Sequence, residues 1–193
     1  MLFESNSPRR VEGDLESKRR VLLRRIFRQF RKTFPNLRFE LHTESRTINA
    51  QAIIHGEARI VRLYGGLAFH LLADNDLLVL TLLHEVGHHL SSGGRLAFCE
   101  SLGCECAADR WALTRGLSSL QKRSGCTLDL GRAVASLDAL QIAVTSPRST
   151  ASGGKETVPG CWALDWPKRK LHLAGLIGMP VVLRCHLSDF YLA

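Results

Sequence analysis

The chain has 193 residues, of which 45% are hydrophobic and 23% are charged. This composition argues against a disordered chain and is typical of one globular domain with a buried core. The formal net charge is +8, and residues 1–40 supply most of it, with 11 Lys/Arg against 5 Asp/Glu, a net of +6. No uninterrupted apolar stretch of about 18 residues occurs, so the sequence predicts no membrane span.

The N-terminal region combines a polar lead-in with a basic helix. Residues 1–13 predict a disordered lead-in without the apolar core of a signal peptide, so we expect a cytoplasmic protein. Residues 14–34 have the periodicity of an amphipathic helix. Its polar side carries Lys18, Arg19, Arg24, Arg25, Arg28, Arg31 and Lys32. A solvated basic face is the simpler interpretation, and binding of an acidic partner, nucleic acid or anionic lipid is the alternative.

Three short runs that follow are typical of β-strands. They are residues 37–42, 47–54 and 58–64, and they are partly β-branched and separated by polar or glycine residues. They predict a small antiparallel or mixed sheet. The third run ends at Gly65-Gly66, shortly before the next predicted helix.

An H-E-x-x-H motif lies in an apolar run that predicts a helix over residues 76–90. Residues four apart on a helix share one face, so His84 and His88 can present two imidazoles to one metal ion. Glu85 is placed to take a proton from a metal-bound water. The motif therefore predicts a metal site with a general base beside it.

The third metal ligand must come from elsewhere, because a catalytic zinc usually has three protein ligands and one open position. Glu105 and Asp109 repeat the i, i+4 spacing on a second predicted helix, which ends near residue 117. Glu105 can complete a two-histidine, one-carboxylate set for one zinc ion per chain. Asp109 can accept the free ring N–H of a ligand histidine. A metzincin is excluded, because Ser91 and Gly94 stand where its motif requires glycine and histidine.

The sequence HEVGHH followed by ECAADRWA resembles the gluzincin metallopeptidases, whose zinc is held by HExxH and by a glutamate in an ExxxD motif. The form ExxAD is similar to that of the heat-shock and CAAX-processing metallopeptidase group and its small soluble relatives. It also resembles the compact metalloproteases that cleave phage-type repressors. The resemblance covers residues 59–117. It implies a zincin-like α+β fold, hydrolysis of a protein or peptide substrate, and an edge strand, here residues 58–64, that binds an extended peptide beside the zinc cleft.

The C-terminal half is less informative. Residues 128–143 predict a helix, and residues 145–160 predict a flexible loop or linker. The chain is therefore expected to have a metallopeptidase-like domain at 14–144 and a segment at 161–193 that packs on this domain. An oxyanion stabiliser is also expected, and the candidates are Tyr64, Arg169, His172 and His186. The segment Trp166-Pro167-Lys168-Arg169 faintly resembles a family element whose arginine supports the active-site region.

The cysteines leave a second function open. Cys99, Cys104, Cys106, Cys126, Cys161 and Cys185 are interpreted as reduced thiols, since no secretory signal accompanies them. Cys104 and Cys106 flank Glu105, but their spacing is not the usual C-x2-C of a structural zinc site. The alternative to a peptidase is a zinc-containing regulatory module that binds nucleic acid or protein without general protease activity.

Overall fold

The computed structural model describes residues 13–91, 105–144, 169–170, 173 and 175–176. Within these residues the fold is α+β, with a three-stranded mixed sheet and several helices, as the sequence predicts. The predictions for residues 1–12 and 145–160, and for most of 161–193, lie outside the described residues. None of the described helices is long and apolar enough to cross a membrane.

The element bounds follow the predicted ones closely, with one extension. The helices are α1 (Asp14–Thr33), α2 (Gly65–Ala68), α3 (Asn75–Leu90), α4 (Glu105–Trp111), α5 (Leu117–Ser124) and α6 (Leu130–Val144), with a π-helical turn at Ala112–Gly116. The strands are β1 (Arg38–His42), β2 (Ala50–His55) and β3 (Ala58–Tyr64). The second motif helix continues through the π-helical turn into α5, so it runs past its predicted end near residue 117.

The sheet has the strand order β1-β3-β2, with β1 parallel and β2 antiparallel to β3. A two-residue turn joins β2 to β3, and Gly56 there has φ 58°, which glycine adopts without a steric penalty. β1 then pairs with the other side of β3. The prediction that residues 58–64 form an edge strand is therefore wrong, because β3 is central, and among the described residues β1 and β2 are the outer strands.

The core lies between one face of the sheet, α1 and α3. Alternation along β3 directs Val61 and Leu63 to this inner face, where both are fully buried. They join one hydrophobic cluster with Leu23, Ile26, Phe27 and Phe30 of α1 and with Leu77, Leu78, Leu82, Leu83 and Val86 of α3. α3 is thus a central, buried helix. The amphipathic prediction for α1 is confirmed, with Arg24, Arg25 and Arg28 on its exposed side.

Polar contacts fix both ends of α3. Asp74 is its N-cap, because its Oδ1 accepts a hydrogen bond of 2.8 Å from the backbone N–H of Leu77. The other carboxylate oxygen of Asp74 accepts one of 2.7 Å from the hydroxyl of Ser136 in α6. Near the C-terminal end, His89 Nε2 lies 3.0 Å from the backbone oxygen of Ile60. His89 therefore joins the helix to β3 and has a structural role.

Candidate metal centre

α3 and α4 approach closely where Gly87 faces Ala108. A Cβ atom on Gly87 would lie 2.6 Å from the carbonyl oxygen of Ala108 and 2.9 Å from its Cα. Ala108 is itself fully buried. Small residues at both positions allow the two backbones to meet, so side chains from the start of α4 reach those near the end of α3.

His84, His88 and Glu105 come together at this crossing, with their ligand atoms all within 4.8 Å of one another. His84 Nε2 lies 2.9 Å from Glu105 Oε2 and 3.0 Å from His88 Nε2. His88 Nε2 lies 3.6 Å from Glu105 Oε1. The three residues that the sequence predicts as ligands thus form one group that could hold a metal ion.

Asp109 determines which nitrogen of His84 is available to a metal. Its Oδ1 lies 2.6 Å from His84 Nδ1, and Asp109 is only 3% exposed. A carboxylate accepts hydrogen bonds, so Nδ1 carries the proton and Nε2 presents a lone pair to Glu105 and His88. Lone pairs at these distances repel one another unless a proton or a metal ion lies between them.

Arg169 fixes the two carboxylates of α4. Its Nε donates to Asp109 Oδ2 at 3.0 Å and its Nη2 to Asp109 Oδ1 at 2.9 Å, a bidentate pair. Its Nη1 lies 3.6 Å from Glu105 Oε2. The sequence proposes Arg169 as an oxyanion stabiliser, whereas in the structure its guanidinium holds Asp109 and Glu105 in place.

Glu85, the predicted general base, is buried beside the outer strand β2. Its carboxylate accepts a hydrogen bond from the backbone N–H of Ala52. Burial, together with the charge of Glu105, raises the pKa of Glu85 above its ordinary value. The carboxylate therefore lies at the junction of the metal ligands and the sheet edge.

The edge of β2 near Glu85 carries outward-facing backbone groups. The N–H of Tyr64 donates to the oxygen of Asn49 at 3.1 Å, which makes these two residues a hydrogen-bonded pair next to the ladder. Pairs alternate in an antiparallel ladder, so Ala50, Ala52 and Ile54 direct their N–H and C=O groups away from β3. One of these groups, the Ala52 N–H, is the one that meets Glu85.

Of the remaining predicted site residues the structure describes Tyr64, which is not brought to the metal ligands. Tyr64 lies on the opposite face of the sheet from Leu63, and its hydroxyl donates to Gln51 Oε1 at 2.9 Å. His172 and His186 lie outside the described residues. Cys126 is a buried free thiol, while the side chains of the other five cysteines lie outside the described part of the chain.

The charges of the site shift its pKa values in opposite directions. Burial alone would lower the pKa of His84, but the carboxylates of Asp109 and Glu105 outweigh it and raise the value to about 10. Burial would raise the pKa of Glu105, but the hydrogen bond and charge of His84 lower it to about 2. The pKa of Asp109 is likewise lowered, against burial, by His84 and Arg169. The site thus strongly attracts a cation at His84 Nε2.

We expect His84 and Glu105 together to stabilise the metal-free protein most between about pH 4.5 and 6.5, the ordinary pKa values of glutamate and histidine. The raised pKa of His84 contributes stability that is complete below 6.5 and lost as the pH rises towards about 10. The lowered pKa of Glu105 contributes stability that is lost as the pH falls from 4.5 towards about 2. Melting temperatures across this range test the prediction, and His84→Gln should flatten the alkaline decline. A wild-type melting temperature that rises steadily from pH 7 to 9 would contradict it.

Gly87→Ala should separate α3 from α4. The new methyl group would meet the Ala108 backbone at 2.6 Å, and overpacking of this kind costs about 1–3 kcal/mol. We expect a melting temperature lower by several degrees and weaker metal binding, because Glu105 moves away from the histidines. Gly175→Ala is the matched control, since a Cβ there meets nothing within 4 Å. Equal melting temperatures and metal affinities in the two variants would show that the close approach is unimportant.

Comparison of the chain with protein-family models, with curated proteins and with solved structures found no match. We therefore base the proposed function on the motif and on the geometry of the site.

Proposed function

We propose that the protein is a zinc-dependent metallopeptidase with a zincin-like fold, in which His84, His88 and Glu105 bind zinc and Glu85 is the general base. The single observation that carries this proposal is the convergence of the three ligand atoms within 4.8 Å, next to the buried carboxylate of Glu85 at the sheet edge. The resemblance of HEVGHH and ECAAD to the gluzincin motifs also supports a zinc-dependent metallopeptidase.

The donor set fits zinc. Two imidazoles and one carboxylate are a ligand combination of catalytic zinc sites, and ligand atoms about 2.1 Å from a tetrahedral ion lie about 3.4 Å apart. The spacings of 2.9, 3.0 and 3.6 Å among His84, His88 and Glu105 bracket this value. Asp109 supplies the acceptor that ligand histidines usually have on their other nitrogen.

The residues of the chain have distinct roles in this mechanism. Zinc, when bound, supplies Lewis acidity that lowers the pKa of water to about 7. Glu85 takes the proton of the attacking water and later passes it to the leaving amine. Its raised pKa brings the carboxyl closer to neutral pH, which favours both transfers. Asp109 keeps the proton on His84 Nδ1, and Arg169 keeps Asp109 ionised and oriented.

The sheet favours a substrate peptide in an extended conformation. The outward N–H and C=O groups of Ala50 and Ile54, together with the C=O of Ala52, can pair with a peptide that adds to β2 as a further strand. Such pairing uses backbone atoms and so tolerates many sequences. Because the Ala52 N–H adjoins Glu85, a peptide carbonyl on this edge would lie near the general base. The outer strand β2 thus takes the role that the sequence assigns to residues 58–64.

The composition of the site favours an enzyme over a regulatory zinc module. Structural zinc sites are closed by four protein ligands, whereas catalytic sites have three and an open position. Among the described residues the group has three ligands, His84, His88 and Glu105. A further buried carboxylate, Glu85, adjoins them without being needed for binding. A buried carboxylate such as Glu85 beside the ligands is expected in a catalytic site and is not required in a structural one.

Elemental analysis tests the metal centre. We expect about one zinc per chain in the wild type and a large loss in His88→Ala, because only two ligands remain. His55→Ala, an exposed histidine at the end of β2, is the matched control and should retain the metal. Zinc retained equally in both variants, or absent from the wild type after reconstitution, would rule out the proposed centre.

A further inference from the structure

Three described residues of the C-terminal segment connect the metal site to α6. Arg169 is bound to Asp109, and the next residue, Lys170, places its Nζ 2.5 Å from Asp138 Oδ2 of α6. One turn later Leu173 is 1% exposed. It packs in a separate hydrophobic cluster with Leu80, Ala133 and Val134. The segment therefore contacts α4 through Arg169, α6 through Lys170, and both α3 and α6 through Leu173.

We propose that Arg169, Lys170 and Leu173, here called the C-terminal anchor, set the affinity of the metal site through their docking on α6. The inference rests on the metal centre proposed above. Arg169, Lys170 and Leu173 each have helical backbone, and the side chains of Arg169 and Leu173 both face the protein. The ion pair with Asp138 and the burial of Leu173 fix the position of these residues. They thereby fix where the guanidinium of Arg169 lies.

The metal ligands depend on this guanidinium. Asp109 is buried, and its described partners are His84 and Arg169. When the anchor undocks, Asp109 loses its bidentate partner, and Glu105 loses the cation 3.6 Å away. Loss of such outer partners of a metal ligand typically weakens metal binding about 10–100-fold. Asp138 itself lies on α6, which carries none of the three ligands, and its ion pair with Lys170 connects it to the anchor.

Charge reversal tests the anchor directly. Lys170→Glu and Asp138→Lys should each weaken zinc binding by about 10-fold or more in chelator competition. The double variant restores the ion pair and should return the affinity to within a few-fold of the wild type. Lys122→Glu and Glu57→Lys make the same kinds of charge reversal at exposed positions and should leave the affinity unchanged. Rescue by the double variant separates docking from a general effect of charge.

Hydrogen exchange of the metal-free protein gives a second readout that does not need zinc. Each single reversal should speed amide exchange in Glu105–Trp111, and the double variant should slow it again. A wild type that binds zinc, with single variants that behave like the controls in affinity and exchange, would overturn the anchor while leaving the metal centre intact. A wild type that binds no zinc but shows the exchange pattern would overturn the metal centre and confirm the docking of the anchor.

Discussion

Glu85→Gln is expected to lower peptide hydrolysis by at least about 100-fold, because general base catalysis typically contributes 10²–10⁴-fold. The glutamine has the same shape, and its amide oxygen can still accept the hydrogen bond from the Ala52 N–H. It cannot take a proton from water. Because Glu85 is not among the three ligands, we expect the zinc content and the melting temperature to change little.

The measurement compares cleavage of a proteome-derived peptide library by wild type and variant, at equal zinc occupancy, by mass spectrometry. Glu57→Gln is the matched control, since Glu57 lies in the exposed turn between β2 and β3. The same loss of activity in both variants would point to a charge effect. Normal cleavage by Glu85→Gln would remove Glu85 from the mechanism and leave zinc binding as the only role of the motif.

Glu105→Ala should weaken zinc binding by at least about 100-fold, because it removes a direct ligand, and outer partners alone are worth 10–100-fold. His84 and His88 remain, together with the carboxylate of Asp109, which is held by His84 Nδ1 and by Arg169. Asp109 is therefore badly placed to replace the lost oxygen. Glu105→Gln keeps one neutral oxygen and should fall between the alanine variant and the wild type.

Chelator competition measures these affinities, with Glu44→Ala as a control that removes an exposed carboxylate. A graded loss in the order wild type, Glu105→Gln, Glu105→Ala would identify the carboxylate as the third ligand. An unchanged affinity in Glu105→Ala would instead assign that place to Asp109 or to a cysteine. Measurement at one pH is essential, because a metal ion must displace the proton of His84.

The chain encodes the local part of the site in residue spacing. His84 and His88 share a helix face because α-helical geometry repeats every 3.6 residues, whatever surrounds the helix. The cap at Asp74 and the amphipathic side of α1 are local in the same sense, and the structure has both. The i, i+4 spacing also predicts that Glu105 and Asp109 share one face of their helix. The third ligand and the acceptor that orients His84 therefore lie side by side.

The sequence by itself determined the two motif helices, the three strands and the residue types that can bind a metal ion. Only the tertiary structure decided that β3 is central, because the pairing of β1 with β3 joins segments that no local pattern connects. It also decided that Glu85 meets β2 and that Arg169 holds Asp109 across 60 residues of chain. The physical reason is that spacing reports which residues share a face of one element. Packing determines which faces of different elements meet.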